Sequence, residues 1–200
     1  MRKMNRISIM EYSQPVKIPD GRYYLKVTKG GERVFYQLNK LKLVDDNLLA
    51  TKNLSFTLPE SAVDIISAVE QELLSQAISS KMEWFGKEIS DETISKAYQS
   101  AIDHGTFQAP LATVNGQTVV VAYDSNKEAV ELENIQKDSV IDVLVELSGL
   151  WFLKKSFGPI FRVAQIRVPL QAASRKTFPT QYLFDDAQDE EGETDTDYLD

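Results

Sequence analysis

Two stretches of the sequence place aromatic side chains directly beside basic ones, at residues 23–36 and 151–167. Flat aromatic faces can stack on nucleobases, a contact that contributes ~1–3 kcal/mol per base in known complexes. Lysine and arginine side chains can neutralise the phosphates of the same strand. The two stretches therefore predict a surface that binds single-stranded nucleic acid.

About half of the side chains in any strand pair point into the core, so only some of these residues are expected to meet a ligand. By simple alternation Arg162 and Arg167 lie on opposite faces of one strand and do not form one patch, unless a bulge intervenes. The residues that we predict to contact nucleic acid are Tyr24, Lys26, Arg33, Phe35, Trp151, Lys154, Lys155, Phe157, Arg162 and Arg167.

The sequence lacks the patterns that common catalytic sites require. It has no phosphate-binding glycine loop, no calcium loop, no nucleophile elbow and no cysteine. The single histidine, His104, stands before Gly105, where we expect it to cap the end of a helix. We therefore predict a protein that is not an enzyme and holds no cofactor or metal; a nuclease using scattered carboxylates is the weakest alternative.

The net charge of −8 is distributed in blocks of alternating sign. Residues 1–60 hold 11 basic and 6 acidic residues, and residues 61–146 hold 5 and 15. Residues 147–184 hold six basic residues and no acid, whereas residues 185–200 hold nine acids and no base. Both aromatic stretches thus fall in basic blocks, as a phosphate-binding surface requires.

Hydrophobic periodicity predicts a mainly β protein with an inserted helix. The early strands, at 23–27 and 34–38, read as a hairpin around Lys29-Gly30-Gly31-Glu32, and another strand is expected at 53–58. Apolar spacings of three and four predict a helix at 61–79, and a shorter helix is expected to end at Gly105. Further strands are predicted at 117–123, at 139–147 with one buried and one wet face, and in a final hairpin at 151–168 with its loop at 154–159.

We expect residues 1–184 to form one domain, with a helical insertion at about 61–105, and residues 185–200 to form a disordered tail. Such a tail can occupy a cationic groove as a DNA mimic and be displaced to recruit partners. The tail residues predicted to bind partners are Asp185, Asp186, Asp189, Glu190, Glu191, Glu193, Asp195, Asp197 and Tyr198. No run approaches the ~20 apolar residues of a membrane span, so a soluble, intracellular protein with no membrane partner is expected.

The order of these elements resembles the virus-encoded single-stranded DNA-binding proteins shared by T-odd podophages and the nucleocytoplasmic large DNA viruses. The similar segments are a strand pair at 21–38, the helix at 61–79, VVVAYDSNKEAVELENI at 119–135, DVLVELSGLWFLKKSFGPIFRVAQIRV at 142–168, and DDAQDEEGETDTDYLD at the end. Tails of that family commonly finish on an aromatic residue, whereas here Tyr198 precedes Leu199 and Asp200.

The resemblance implies an OB-fold, that is, a five-stranded β-barrel, with the long amphipathic helix inserted and an acidic tail. It further implies binding of exposed DNA during replication, recombination or repair, a homodimer, and contacts with a polymerase or helicase through the tail. The location would then be a viral replication site, or the host nucleus or cytoplasm. The alternative is a structural or interaction protein, such as a virion component or scaffold, that does not bind nucleic acid.

Overall fold

The chain folds mainly as β-structure, interrupted by a helical insertion. The structure, a computed structural model, describes residues 9–45, 47–50 and 53–169. Its strands are β1 Met10–Tyr12, β2 Val16–Lys17, β3 Tyr23–Lys29, β4 Val34–Leu43, β5 Leu54–Thr57, β6 Ile102–Asp103, β7 Thr106–Ala109, β8 Thr113–Val114, β9 Gln117–Thr118, β10 Val121–Tyr123, β11 Ala129–Val130, β12 Val140–Phe152 and β13 Phe157–Arg167. Its helices are α1 Glu60–Ser79, α2 Lys81–Phe85, α3 Asp91–Ala97 and a 3-10 turn at Leu132–Asn134.

Five of these strands close into a barrel. Strand β4 pairs with β5, β5 with β7, β12 with β4 and β13 with β12, all antiparallel. The ring closes where the segment after β7 runs parallel to β13: Leu111 is bridged to Val163, and the Val163 amide donates to the Pro110 carbonyl at 2.8 Å. This order, with its one parallel contact, is that of an OB-fold, so the predicted fold class is confirmed.

The predicted hairpin around Gly30 and Gly31 is wrong. The chain does turn there, since the Lys29 amide donates to the Glu32 carbonyl at 2.9 Å. However, β3 pairs with the end of β12 at 149–152, and β4 pairs with its beginning at 140–147, both antiparallel to it. The two strands therefore run in the same direction along one edge of β12. The glycine turn lies between the part of the chain that pairs with the end of β12 and the part that pairs with its beginning.

Strand β12 lies at the centre of the sheet, and the prediction that one of its faces is wet is also wrong. Almost every residue of the strand is buried or half-buried, including the charged Asp142 and Glu146. Their charges have partners: Asp142 pairs with Arg167, and the Arg33 Nε lies 3.7 Å from Glu146 Oε1. The two acids on the outward face of β12 are thus paired with arginines of neighbouring segments.

The helical insertion lies between β5 and β6. The predicted helix at 61–79 is confirmed as α1, whose regularly spaced apolar residues are buried, with Ile66 and Leu73 fully so. The shorter helix predicted to reach Gly105 ends earlier, at Ala97. His104 does not cap a helix: His104 and Gly105 have positive φ angles, 47° and 78°, and form the turn between β6 and β7.

The final hairpin of β12 and β13 is confirmed, with a tighter loop than predicted. Residues 157–159 belong to β13, and the turn is closed by the Leu153 amide donating to the Ser156 carbonyl at 2.8 Å. Leu144 pairs with Gln165 and Val145 with Val163, so Ala164 is an extra residue in β13. This bulge puts Arg162 and Arg167 on the same outward face, contrary to simple alternation.

The carboxylate of Asp142 stabilises a second irregularity, in β4. Lys40 has a positive φ of 58°, and its amide donates to Asp142 Oδ1 at 2.9 Å. We expect Asp142→Ala to lower the free energy of unfolding by about 2 kcal/mol, because it leaves this amide and the Arg167 guanidinium without their acceptor. Urea titration measures the change. Asp142→Asn, which keeps an acceptor oxygen, should lose less; equal losses in the two variants would contradict this role.

No helix within the described ranges is both long enough and apolar enough to cross a membrane.

Candidate nucleic-acid interface

Two of the predicted aromatic residues lie side by side on the outward face of the sheet. Tyr24 on β3 is directly opposite Trp151 on β12, and Trp151 is opposite Gly158 on β13. Both rings are only partly buried. The register thus brings together two aromatic residues that are far apart in the sequence.

The Tyr24 ring lies over Gly149 of β12. A Cβ atom placed on Gly149 would be 2.7 Å from Tyr24 Cε2 and 2.0 Å from the Leu25 carbonyl oxygen, so only glycine leaves room here. The Tyr24 hydroxyl donates to the Ser148 carbonyl at 2.6 Å. Desolvation raises the pKa of this hydroxyl, although the nearby Arg162 charge acts against the rise, and the group stays a neutral donor.

Trp151 covers a second glycine. A Cβ on Gly158 would meet two atoms of the indole, Cζ2 and Nε1, at 3.2 and 3.3 Å, and the Gln99 carbonyl oxygen at 2.5 Å. Each aromatic ring therefore rests on a strand position without a side chain. Tyr24 and Trp151 both line an open groove.

This groove, which we call the aromatic groove, has a volume of about 770 Å³. Tyr24, Trp151 and Arg162 line it on the side of β3, β12 and β13. Strand β7 contributes Thr106 and Gln108, and the segment before β7 lines the groove as well. The remaining lining residues are Ile18, Arg22, Tyr23, Asn53, Gln99, Ser100, Ala101, Asp103, His104, Pro110, Pro159, Ile160 and Phe161.

Three more of the predicted residues lie on the outward face beside this groove. Lys26 is exposed and pairs in register with Gly149, next to the Tyr24 ring. Phe35 is 44% exposed and stands opposite Glu146, which in turn stands opposite Arg162. The Arg33 guanidinium reaches the same Glu146 carboxylate. With Tyr24, Trp151 and Arg162 they make six predicted residues on this part of the outward face, and Glu146 lies among them.

Phe157 does not belong to this face, and its predicted contact with nucleic acid is wrong for a physical reason. It is 1% exposed and stacks on Phe152 at a centroid distance of 5.5 Å. Phe85 and Tyr98 contact it edge-on, each at 5.3 Å. Phe157 is therefore part of the core and has no face open to a base.

Lys154 and Lys155 lie on a different groove from Trp151. This second groove, of about 810 Å³, lies between the 153–156 turn and helices α2 and α3. Lys87, Lys96, Lys154 and Lys155 all line it, and we call it the lysine-rimmed groove. Tyr23 lines both grooves and marks where they meet.

Arg167 lies at the far end of β13. Its Nε donates to Asp142 Oδ2 at 2.9 Å, and its backbone pairs with Tyr123 of β10. The Ala164 bulge gives it the same facing as Arg162, but only Arg162 lines the aromatic groove. The structure thus gives Arg167 a structural partner and places it away from the aromatic pair.

Sequence reasoning missed several residues of the aromatic groove. Arg22 lies at one end, where its Nε donates to Asp20 Oδ2 at 2.7 Å. Gln108 and the exposed His104 come from β7 and the turn before it. An Asp-His-Gly-Thr sequence could have indicated a two-residue hairpin turn, but no local signal places that turn in the same groove as Trp151. Within the described residues, no group of three or more His, Asp or Glu side chains could hold a metal ion.

Comparison with known proteins gives one family match. The model of a family described as "Family of unknown function (DUF5871)" matches residues 39–186. No curated protein matches the chain.

Similar solved structures include "Single-stranded DNA-binding protein from bacteriophage Enc34 in complex with ssDNA", at 8% identity and a TM-score of 0.45. The match covers 72% of this chain and 89% of the Enc34 chain. The C-terminally truncated form of the Enc34 protein gives 9% identity and a TM-score of 0.44, with 78% and 93% covered.

Proposed function

For this chain, which belongs to the family of unknown function DUF5871, we propose binding of single-stranded DNA without sequence preference. Aromatic stacking would hold the bases and cationic side chains would neutralise the phosphates. The interface that we propose consists of Tyr24, Lys26, Arg33, Phe35, Trp151 and Arg162, together with Arg22 and Gln108.

The observation that carries the proposal is the adjacency of Tyr24, Trp151 and Arg162 on the wall of the aromatic groove. Each ring rests on a glycine, so it is held in place before a ligand arrives. Fixed aromatic side chains lose little conformational entropy on binding, which favours stacking. Arginine suits the site because its planar guanidinium can both stack on a base and donate to a phosphate.

The geometry favours single strands over a duplex. In a duplex the base faces are already stacked on one another, so they cannot reach Trp151 or Tyr24 without unstacking. By analogy of fold, the position of the aromatic groove on the barrel also supports binding of single strands. OB-folds bind oligonucleotides on the face of their second and third strands, and here β7, the third strand of the barrel, lines the groove.

We place this activity in DNA replication, recombination or repair, where single strands are exposed, and we assign no catalytic step to the chain. The acidic segment 185–200, which lies outside the described residues, would compete with DNA for the cationic face and recruit a polymerase or helicase. We also propose that the chain forms a homodimer. If DNA binding fails, a role in protein interaction is the alternative.

Replacing one groove cation tests the proposed interface. We expect Arg162→Ala to weaken binding of labelled oligo-dT, and to reduce the slope of log affinity against log salt by about 0.7, the share of one phosphate contact with a single strand. Fluorescence anisotropy across a salt series measures both quantities. Lys127→Ala, in the distant turn after β10, is the matched loss of one cation and should leave both unchanged. Equal slopes for wild type and Arg162→Ala would exclude this contact.

A further inference from the structure

The lysine-rimmed groove combines apolar side chains with four lysines. Half-buried Phe85 and Ile89 line it, as does Leu153, which is 53% exposed at the start of the β12–β13 turn. Lys87 and Lys96 approach from the helical side, while Lys154 and Lys155 approach from the turn. The groove therefore offers both apolar contact and positive charge to a ligand.

The acidic groups within the groove are few. Glu83 lines it, and its carboxylate accepts a short hydrogen bond from the Gln14 side chain at 2.5 Å. Lys96 is paired with Glu92 one helical turn away, but this pair is exposed on both sides and thus weak. A bound carboxylate could compete for that lysine at little cost. The electrostatic balance of the groove therefore favours an anionic ligand.

The aromatic side chains under this groove are not arranged as stacking surfaces. Phe85 meets Phe152 and Phe157 edge-on at 5.7 and 5.3 Å, and Trp84 is buried against Tyr12 and Phe152. The ring faces are thus used within the core. The cations here are all lysines, which act as point charges, whereas the aromatic groove has arginines beside partly open rings.

We propose that the lysine-rimmed groove binds an acidic peptide segment of a partner protein, with one apolar side chain of that segment packed against Phe85, Ile89 and Leu153. Its carboxylates would pair with Lys87, Lys96, Lys154 and Lys155. This differs from the sequence-based expectation that Lys154 and Lys155 contact nucleic acid. It is also independent of DNA binding in the aromatic groove, because the two sites share only Tyr23 at their border.

The test uses the full chain and a fluorescein-labelled synthetic peptide in which Asp and Glu residues flank one Trp-Leu pair. A second peptide keeps the acids and carries Ser-Ser in place of Trp-Leu. We expect the first peptide to bind at least about tenfold more tightly than the second, because only the first has an apolar anchor. We expect the double substitution Lys154→Glu with Lys155→Glu to weaken it by at least about tenfold. A matched charge reversal elsewhere, Lys29→Glu with Lys127→Glu, should have little effect.

Two further arms separate the other occupants. Unlabelled oligo-dT should not displace the peptide, and Trp151→Ala should not weaken it. Displacement by oligo-dT, together with an equal loss of DNA affinity in the Lys154/Lys155 variant, would assign the groove to nucleic acid and overturn the proposal. Another outcome would also overturn the proposal: the peptide binds only to a variant in which the nine tail acids are replaced by amides. In that case the chain's own tail would be the occupant of the groove. Equal affinity for both peptides would overturn it as well.

Discussion

Trp151→Ala is expected to lower the affinity for oligo-dT by about tenfold or more, because stacking of one base contributes ~1–3 kcal/mol. The indole lies over Gly158 next to Tyr24 and borders the aromatic groove, so its removal takes away the largest flat surface of the proposed interface. Fluorescence anisotropy at fixed salt measures the change. The loss should be in the non-electrostatic part of binding, and the salt slope should therefore stay the same.

The matched control is Trp151→Phe, which keeps a flat ring over Gly158. It should retain most of the affinity, since stacking requires an aromatic face and not the indole in particular. Thermal unfolding of both variants shows whether the fold survives, because Trp151 is partly buried and some packing is lost with it. A folded Trp151→Ala variant with unchanged affinity would remove Trp151 from the interface.

Removal of the acidic tail is expected to strengthen binding of oligo-dT at low salt by about tenfold or more. The cause would be that the tail, a flexible anion, competes with DNA for the cationic surface. A chain stopped at Phe184 loses nine acids and no base. The gain should shrink as salt rises, because salt screens the attraction between the tail and the lysine and arginine side chains. Parallel titrations of the full and shortened chains measure both effects.

A full-length variant separates the charge of the tail from its length. In this variant the nine acidic residues of 185–200 are replaced by Asn or Gln. It should bind like the chain stopped at Phe184 if charge is responsible. If the amide variant binds like the wild type and only the shortened chain binds more tightly, the competing effect does not come from the carboxylates.

Local patterns in the sequence predicted the elements better than their pairing. The apolar residues of helix α1 recur at spacings of three and four, so the sequence predicts the start of this helix to within one residue. The hairpin at Gly30-Gly31 failed because the turn forms as expected while both strands pair with β12, more than a hundred residues later. A turn signal fixes the local bend and does not choose the partner strand.

The candidate site shows the same division. The sequence identifies Tyr24, Trp151 and Arg162 by residue type, yet it does not exclude Phe157. The burial of Phe157 depends on contacts with Phe85 of α2 and with Tyr98, just after α3. The shared facing of Arg162 and Arg167 depends on the extra residue Ala164, and nothing about that alanine distinguishes it in the sequence. Gly149 and Gly158 leave room for the rings of Tyr24 and Trp151, and this role depends on strand pairing that the sequence does not show.

We propose that the chain binds single-stranded DNA through stacking and phosphate neutralisation. The most direct test is an anisotropy titration of the full chain with labelled oligo-dT and with the same strand as a duplex, across a salt series. We predict tighter binding of the single strand at every salt concentration, with log affinity falling linearly against log salt. Equal binding of both forms, or no binding of oligo-dT at low salt, would rule out selective binding of single strands and favour a role in protein interaction.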